Sequence, residues 1–122
     1  MSANGLLLSD DLMFTSRILG TARDLGFPFR VAKSADALLA IAREQPPAGA
    51  IVDLSNPGLN IQSLVAELKR LSPAVPVIAF GSHVDTATLK AAREAGCDLV
   101  MPRSQFVEEL PRSLAAWLSP EK

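Results

Sequence analysis

The sequence predicts an α/β protein in which a doubly wound parallel sheet lies between two layers of helices. Short apolar runs of strand length alternate along the chain with segments whose apolar residues recur at helical spacing. Such alternation is typical of parallel strands joined by right-handed crossovers, which place helices on both faces of the sheet. The 122 residues, of which 48% are hydrophobic and 20% charged, suffice for one core. We therefore expect a single domain over residues 1–122.

Five apolar runs predict the strands of this sheet. They are GLLLS (5–9), FPFRVAK (27–33), GAIVDL (49–54), VPVIAF (75–80) and DLVM (98–101). The segments between them predict helices over 11–25, 35–45, 61–71 and 85–95. A fifth helix is expected after Ser104, and Pro111 predicts a break or a kink in it unless another helix begins there.

The second strand is expected at an edge of the sheet. FPFRVAK contains Pro28, which cannot donate to a central ladder, and the charged residues Arg30 and Lys33. The first, third and fourth runs are almost wholly apolar, as strands covered on both faces must be. The short fifth strand then takes the other edge, so the predicted order is 2-1-3-4-5, the flavodoxin-like arrangement.

Helix ends are marked by residues suited to them. Ser34 and Asn60 are N-cap candidates, because their side-chain oxygens can accept the N–H groups of a first turn. Gly26 and Gly96 are expected to end helices, since glycine readily adopts the left-handed conformation that follows many helices.

The predicted strand order brings three carboxylates to one crevice. The winding direction reverses between the first and third strands, and open α/β sheets bind ligands there, beyond the carboxyl ends of the strands. Asp10 and Asp11 follow the first strand, and Asp53 lies at the end of the third. Clustered carboxylates repel one another unless a cation is present, which makes Mg²⁺ the expected occupant. The alternative is that Asp10 or Asp11 caps the first helix while Asp53 accepts N–H bonds in the turn at 56–58.

Three short motifs carry a resemblance to a known family. They are the acidic pair after the first strand, VDLSNP at the end of the third and VPVIAFGSH at the fourth. On these motifs the chain, from Gly5 to about Leu118, resembles the receiver domains of two-component response regulators, the CheY-like superfamily. The resemblance implies that Asp53 accepts a phosphoryl group and that Asp10 and Asp11 hold magnesium. It also implies that a hydroxyl residue after the fourth strand and a lysine after the fifth contact the phosphoryl group.

Two positions depart from the family pattern, so the chain resembles an atypical member. Gly81 stands where the hydroxyl residue belongs, with Ser82 one place later, and Arg103 stands where the lysine belongs. Ser82 and Arg103 are therefore the candidate phosphoryl contacts. Three roles are open for Arg103. It binds a phosphoryl group, it pairs permanently with Asp53 and so imitates an occupied site, or it is a solvated surface residue. The chain can also be aligned so that Met101-Pro102 matches the family's Lys-Pro pair. In that alignment no cation stands at the lysine position.

The composition of the chain indicates which classes of partner and which cellular compartment to expect. The 12 basic and 13 acidic residues give a net charge of −1, which argues against nucleic acid or an anionic membrane as a partner. The single Cys97 excludes an internal disulfide and a cysteine metal cluster. No apolar run is long enough to span a membrane, and the N-terminal residues do not resemble a signal peptide. A cytoplasmic protein is therefore expected.

Three functions follow from these observations. The first is a stand-alone receiver-like module that signals by protein contact, with weakened or absent regulated phosphotransfer. The second is a working phosphoacceptor in a phosphorelay, in which Asp53 is served by Arg103 and Ser82. The third is a flavodoxin-like domain that binds a nucleotide or another small molecule at the crevice.

The expected partner is another signalling protein. A histidine kinase is one candidate, and a second copy of the chain, bound through the fourth helix, fifth strand and fifth helix, is another. An enzyme is not expected, because no pair of nucleophile and base is visible in the sequence.

Overall fold

The structure, a computed structural model, describes residues 4–118, over which five strands and five helices alternate. The strands are β1 (Gly5–Leu8), β2 (Phe29–Ala32), β3 (Gly49–Asp53), β4 (Val77–Gly81) and β5 (Leu99–Pro102). The helices are α1 (Leu12–Asp24), α2 (Ala35–Glu44), α3 (Ile61–Leu71), α4 (Thr86–Ala95) and α5 (Arg103–Trp117). Every predicted strand and helix is present, and most ends are shifted by a residue or two.

The strands form one parallel sheet in the order β2-β1-β3-β4-β5. This order confirms the prediction and places β2 at an edge. Leu8 pairs with Val52, and Asp53 pairs with Phe80, so the carboxyl ends of β1, β3 and β4 are aligned. The residues that follow these three strands therefore gather at one edge of the sheet, where the winding direction reverses.

Helices cover both faces of the sheet, as predicted. The face that carries α2, α3 and α4 has an aliphatic core that includes Leu6, Leu8, Leu38, Leu64, Leu68 and Leu89. The face that carries α1 and α5 has a partly aromatic core that includes Ile18, Ile51, Ile78, Phe80, Phe106 and Trp117. None of the helices within residues 4–118 has both the length and the apolar character that crossing a lipid bilayer requires.

The helix ends confirm the predicted caps and stops. The side chains of Ser34 and Asn60 accept first-turn N–H groups of α2 and α3 at 3.1 and 3.0 Å. Gly96 ends α4 with a φ of 103°, and Gly26 has a φ of 85° just beyond α1. Both values lie in the left-handed region, which glycine adopts without the steric cost that a Cβ brings.

The fifth helix does not break at Pro111, which corrects the expected interruption. The helix also begins at Arg103, before the predicted Ser104, and continues to Trp117. Proline lacks the N–H of a helical hydrogen bond, but Pro111 lies on the exposed side of α5. Buried residues on both sides of the proline pack the helix against the sheet, namely Phe106, Leu110, Leu114 and Trp117. Tertiary packing therefore outweighs the local preference of proline.

Candidate functional site

Asp53 lies buried at the carboxyl end of β3, with its carboxylate held by three donors. Its side chain is 1% exposed. Oδ1 accepts the backbone N–H of Ser55 at 3.0 Å and the Ser55 hydroxyl at 2.7 Å. Oδ2 accepts the hydroxyl of Ser9 at 3.0 Å. A buried carboxylate is costly unless it is hydrogen-bonded, and these donors supply that compensation on both oxygens.

The turn after β3 fixes Ser55 beside Asp53. The backbone N–H of Asn56 donates to the backbone oxygen of Asp53 at 3.1 Å. The buried side chain of Asn56 donates from Nδ2 to the backbone oxygen of Lys33 at 3.1 Å, which ties the turn to the loop after β2. The carboxylate of Asp53 therefore does accept a backbone N–H bond just after β3, but the donor is Ser55 and not the predicted turn at 56–58.

Ser9 belongs to the site, although the sequence analysis did not single it out. Leu8 of β1 pairs with Val52 of β3, so Ser9, which follows Leu8, lies beside Asp53, which follows Val52. Ser9 is 1% exposed, donates to Asp53 and accepts the backbone N–H of Asp11 at 3.2 Å. The signal for Ser9 in the sequence is its place as the last residue of the run GLLLS, directly before Asp10.

Asp10 and Asp11 lie outside the buried part of the crevice. Both residues are exposed. Asp11 is the N-cap of α1, and its Oδ1 accepts the N–H of Phe14 at 3.0 Å, as the capping alternative predicted. Within residues 4–118, no group of three or more histidine, cysteine or acidic side chains is placed to hold a metal ion. The structure therefore does not bring the three predicted carboxylates together, and magnesium binding stays a prediction.

Arg103 is the cation beside Asp53. It is the first residue of α5, and its Nη2 lies 3.6 Å from Asp53 Oδ1 and 3.3 Å from Ser55 Oγ. The side chain is 39% exposed, so one part of the guanidinium contacts the crevice while another part contacts solvent. The register in which no cation is present does not describe this site, because Met101 lies in β5 and is buried while Arg103 approaches Asp53.

Aromatic rings support the guanidinium of Arg103. Its Cζ lies 5.2 Å from the ring centre of Phe14 and 5.8 Å from that of Phe80, within the range of cation–π attraction. The two ring centres are 4.9 Å apart, and Phe80 stacks on Phe106 at 4.5 Å. The planar, delocalised guanidinium suits such a surface better than a lysine ammonium would. The rings thus connect the site to the packing of α1 and α5.

Apolar groups surround the position at the end of β4 that should carry a hydroxyl. Gly81 is the last residue of β4 and is buried, and a Cβ added there would lie 3.4 Å from the side chains of Leu54 and Leu89. Ser82 is exposed, and its Oγ accepts the N–H of Val84 at 3.3 Å. Ser82 and Arg103 line one open cleft of about 340 Å³, together with His83 and Ser104.

Cys97 lies away from this cleft and is suited to packing. It is partly buried and packs against the core under α2, α3 and α4. Burial, together with the neighbouring charge of Asp98, raises the pKa of the Cys97 thiol to about 11. The thiol is therefore protonated near neutral pH, which makes it a weak nucleophile.

Comparison with known proteins identifies relatives in signalling. No family model matches the chain. Among curated proteins, the chain is 29% identical over 105 residues to a response regulator receiver protein from Anaeromyxobacter sp.. It is also 29% identical over 111 residues to the photosynthetic apparatus regulatory protein RegA from Cereibacter sphaeroides. These matches cover 86% and 91% of this chain but 44% and 60% of the relatives, so the chain spans about half the length of the curated relatives that it matches.

Solved receiver domains share the fold. The receiver domain of NtrX from Brucella abortus matches with a TM-score of 0.81 and 23% identity, over 93% of this chain and 97% of that one. The receiver domain of a sensor histidine kinase from Pseudomonas aeruginosa, with a magnesium ion in its active-site cleft, matches with a TM-score of 0.82 and 21% identity, over 97% and 98%. A response regulator protein from Burkholderia pseudomallei, with a phosphorylated aspartic acid and a calcium ion, matches with a TM-score of 0.75 and 21% identity. The match covers 98% of this chain and 72% of that one.

The fold and the sequence matches agree in what this chain resembles. Its fold is shared with solved receiver domains, and its sequence is similar to a response regulator receiver protein and to the regulatory protein RegA. The resemblance to the CheY-like receivers of two-component signal transduction, predicted from the sequence, is confirmed.

Proposed function

We propose that this chain is a receiver-like signalling module that acts through contacts with other proteins and in which regulated phosphotransfer at Asp53 is weakened. The observation that carries the proposal is the environment of Asp53. Both carboxylate oxygens accept hydrogen bonds from within the chain, and Arg103 lies 3.6 Å away. A nucleophilic carboxylate oxygen needs a free lone pair, and here donors of Ser9 and Ser55 occupy three of the about four lone-pair sites of Asp53.

Gly81 supports weakened switching as well as weakened chemistry. The family resemblance implies that a hydroxyl at this position moves toward the phosphoryl group. Gly81 has no side chain to move, and the side chains of Leu54 and Leu89 pack 3.4 Å from the place that a Cβ would take. A ligand shifts a conformational equilibrium only by its different affinity for the two states, so a missing contact reduces the response. We infer that one conformation dominates with and without phosphorylation.

Magnesium is not given a step in this proposal. The receiver domain from Pseudomonas aeruginosa holds magnesium in its cleft, but the predicted ligands of this chain do not assemble in the same crevice. Asp11 caps α1, and Asp10 is exposed. The predicted set Asp10, Asp11 and Asp53 therefore does not fit a preformed magnesium site.

The proposed docking region is the α4–β5–α5 surface, which includes exposed Lys90, Arg93 and Glu94 of α4 and Leu99 of β5. The side chain of Leu99 is 42% exposed, and the three α4 residues form a mixed charged face. Polar and charged residues of this kind suit the solvent-accessible rim of an interface, and an exposed leucine suits its apolar part. We propose a signalling protein, such as a histidine kinase, or a second copy of the chain as the partner. The predicted cytoplasmic location and the prediction that the chain is not an enzyme accompany this proposal.

Beryllofluoride with magnesium, a mimic of the phosphoryl group, provides the test. Self-association is measured by sedimentation, and the amide chemical shifts of the α4–β5–α5 surface are recorded with and without the mimic. The proposal predicts unchanged association and unchanged shifts at this surface. An affinity change of about tenfold or more that is lost in Asp53→Asn would show that the switch works.

The working phosphoacceptor is the second candidate, and one observation favours it. Ser82 and Arg103 line one cleft, and Arg103 also lies 3.6 Å from Asp53, so the two predicted phosphoryl contacts share a cleft of which one wall reaches the acceptor. The same beryllofluoride experiment separates the two candidates. The third predicted function, a flavodoxin-like domain that binds a small molecule or a nucleotide, stays a prediction.

A further inference from the structure

We infer that Arg103, with the hydroxyl groups of Ser9 and Ser55, replaces the divalent cation that the crevice of a receiver-like domain would otherwise hold. The inference rests on the proposed function and concerns the same site. These three side chains compensate the negative charge of Asp53 without a metal ion, so the crevice has little affinity for Mg²⁺.

The hydrogen bonds of Asp53 occupy three of the about four lone-pair sites through which its carboxylate could bind a metal ion. Mg²⁺ binds carboxylate oxygens at short distance in near-octahedral geometry and usually keeps several waters. The Ser9 hydroxyl donates to Oδ2 at 3.0 Å, and the N–H and hydroxyl of Ser55 donate to Oδ1 at 3.0 and 2.7 Å. Three protons therefore point at the oxygens that would have to coordinate the ion. Binding would require these hydrogen bonds to break inside a buried site, where unpaired donors are costly.

Ser9 places a neutral hydrogen-bond donor beside Asp53. The strand register places Ser9, and neither of the following aspartates, beside the buried carboxylate. A hydroxyl brings no negative charge, and its hydrogen bond to Asp53 already uses its proton. Asp11 is held at the N-terminus of α1, where its cap on Phe14 contributes about 1 kcal/mol that metal binding would forfeit.

Arg103 adds a fixed positive charge where the ion would bind. Its Nη2 is 3.6 Å from Asp53 Oδ1, and an arginine stays protonated in proteins. Phe14 and Phe80 hold the guanidinium in this place by contact with its face. A second cation at Asp53 would be repelled by the guanidinium at short range. The two rings thereby keep the guanidinium of Arg103, the internal counter-ion of Asp53, at the site.

The test is a titration with Mg²⁺ alone, followed by calorimetry, by thermal unfolding and by amide shifts around Asp53. Four folded proteins are compared: the wild type, Arg103→Gln, Ser9→Asp and the double variant Ser9→Asp/Arg103→Gln. Ser63→Asp is the matched control, because it adds the same charge at an exposed position of α3. The wild type and the control are expected to show no binding at about 10 mM Mg²⁺, a concentration that detects millimolar affinity.

Arg103→Gln is expected to gain weak Mg²⁺ affinity, and the double variant is expected to bind at least about tenfold more tightly than Arg103→Gln. Asp53→Asn in the double-variant background is expected to abolish the gain. Two outcomes would overturn the inference. One is wild-type binding detected at or below about 10 mM Mg²⁺ that Asp53→Asn removes. The other is a folded double variant, or a folded Arg103→Gln, that gains no affinity.

These outcomes are separate from failure of the proposed function. A wild type that binds Mg²⁺ through Asp53, yet shows no change at the α4–β5–α5 surface with beryllofluoride, overturns only the assignment of the internal counter-ion. A change at that surface that depends on Asp53 overturns the proposed function.

Discussion

Nη2 of Arg103 lies 3.6 Å from Oδ1 of Asp53, and the same guanidinium covers the ring of Phe14. The pair joins the last residue of β3 to the first residue of α5, two positions far apart in the chain. Asp53 is buried and Arg103 is partly exposed, so the contact is neither a surface ion pair nor a fully desolvated one. Its worth to stability and to function can be measured directly.

A double-mutant cycle on this pair is predicted to be non-additive. Arg103→Ala should destabilise the fold by about 1–3 kcal/mol, because Asp53 loses its charged neighbour and two rings lose their cover. In the Asp53→Asn background the same substitution should cost less, by about 0.5–2 kcal/mol. Urea unfolding of the four proteins gives these free energies.

Arg112→Ala serves as the control for this cycle, since Arg112 lies on the same helix and is exposed. It should leave the stability almost unchanged and add independently to Asp53→Asn. Strict additivity of Arg103→Ala with Asp53→Asn would show that the two side chains are not coupled.

Gly81→Ser is predicted to fold with a stability within about 1 kcal/mol of the wild type. The new Cβ would lie 3.4 Å from Leu54 and Leu89, which is close but not overlapping, and Gly81 has a backbone that other residues adopt. The variant restores a hydroxyl at the end of β4. Compared at equal occupancy of Asp53, beryllofluoride should therefore shift more amide resonances of the α4–β5–α5 surface in this variant than in the wild type. Equal responses in the two proteins would argue against the role given to Gly81.

Asp98 is predicted to stabilise the junction of α3, β4 and β5. Its Oδ2 accepts the backbone N–H of Val77 at 2.7 Å and the ammonium of Lys69 at 2.8 Å, and Lys69 also donates to the backbone oxygen of Val75 at 2.8 Å. Asp98→Ala should cost about 1–2 kcal/mol, mainly because the Val77 N–H loses its acceptor. Glu67→Gln, which disrupts only an exposed pair with Arg70, should change the stability little in the same denaturation assay.

Cys97 is predicted to react slowly with thiolate-selective reagents in the folded protein. Its pKa rises from 9.0 to about 11, chiefly because of burial, so at pH 8 the folded chain holds about a hundredfold fewer thiolates than the unfolded chain. The folded state keeps its proton longer, so stability should fall as the pH rises from about 9 to about 11. Cys97→Ala should remove this component of the pH dependence, and rapid labelling of native protein at pH 8 would contradict the assignment.

The fold was largely predictable because the sequence satisfies several physical rules at once. Apolar runs of strand length, the caps Ser34 and Asn60, and proline in an edge strand all point to one topology. Pro111 misled because its local cost is small beside the burial of Phe106 and Trp117 on either side of it. Local preference and tertiary packing compete there, and the sequence does not show which is stronger.

The site was less predictable, because one residue of register decides which side chain lies beside Asp53. Ser9 lies there, while Asp11 turns outward to cap α1, and both choices depend on where β1 ends. The position of Arg103 was open for a similar reason, since two registers of the last strand were possible. Its support by Phe14 and Phe80 comes from three separate elements and leaves no pattern in the sequence.

Phosphorylation of the wild type by acetyl phosphate with Mg²⁺, measured by intact mass, tests the central claim most directly. The protein is compared with Asp53→Asn under conditions in which a receiver domain of known activity is fully labelled. Because the oxygens of Asp53 are held by Ser9, Ser55 and Arg103, we predict little or no gain of the mass of a phosphoryl group. Stoichiometric labelling that Asp53→Asn abolishes would contradict the account and establish this chain as a working phosphoacceptor.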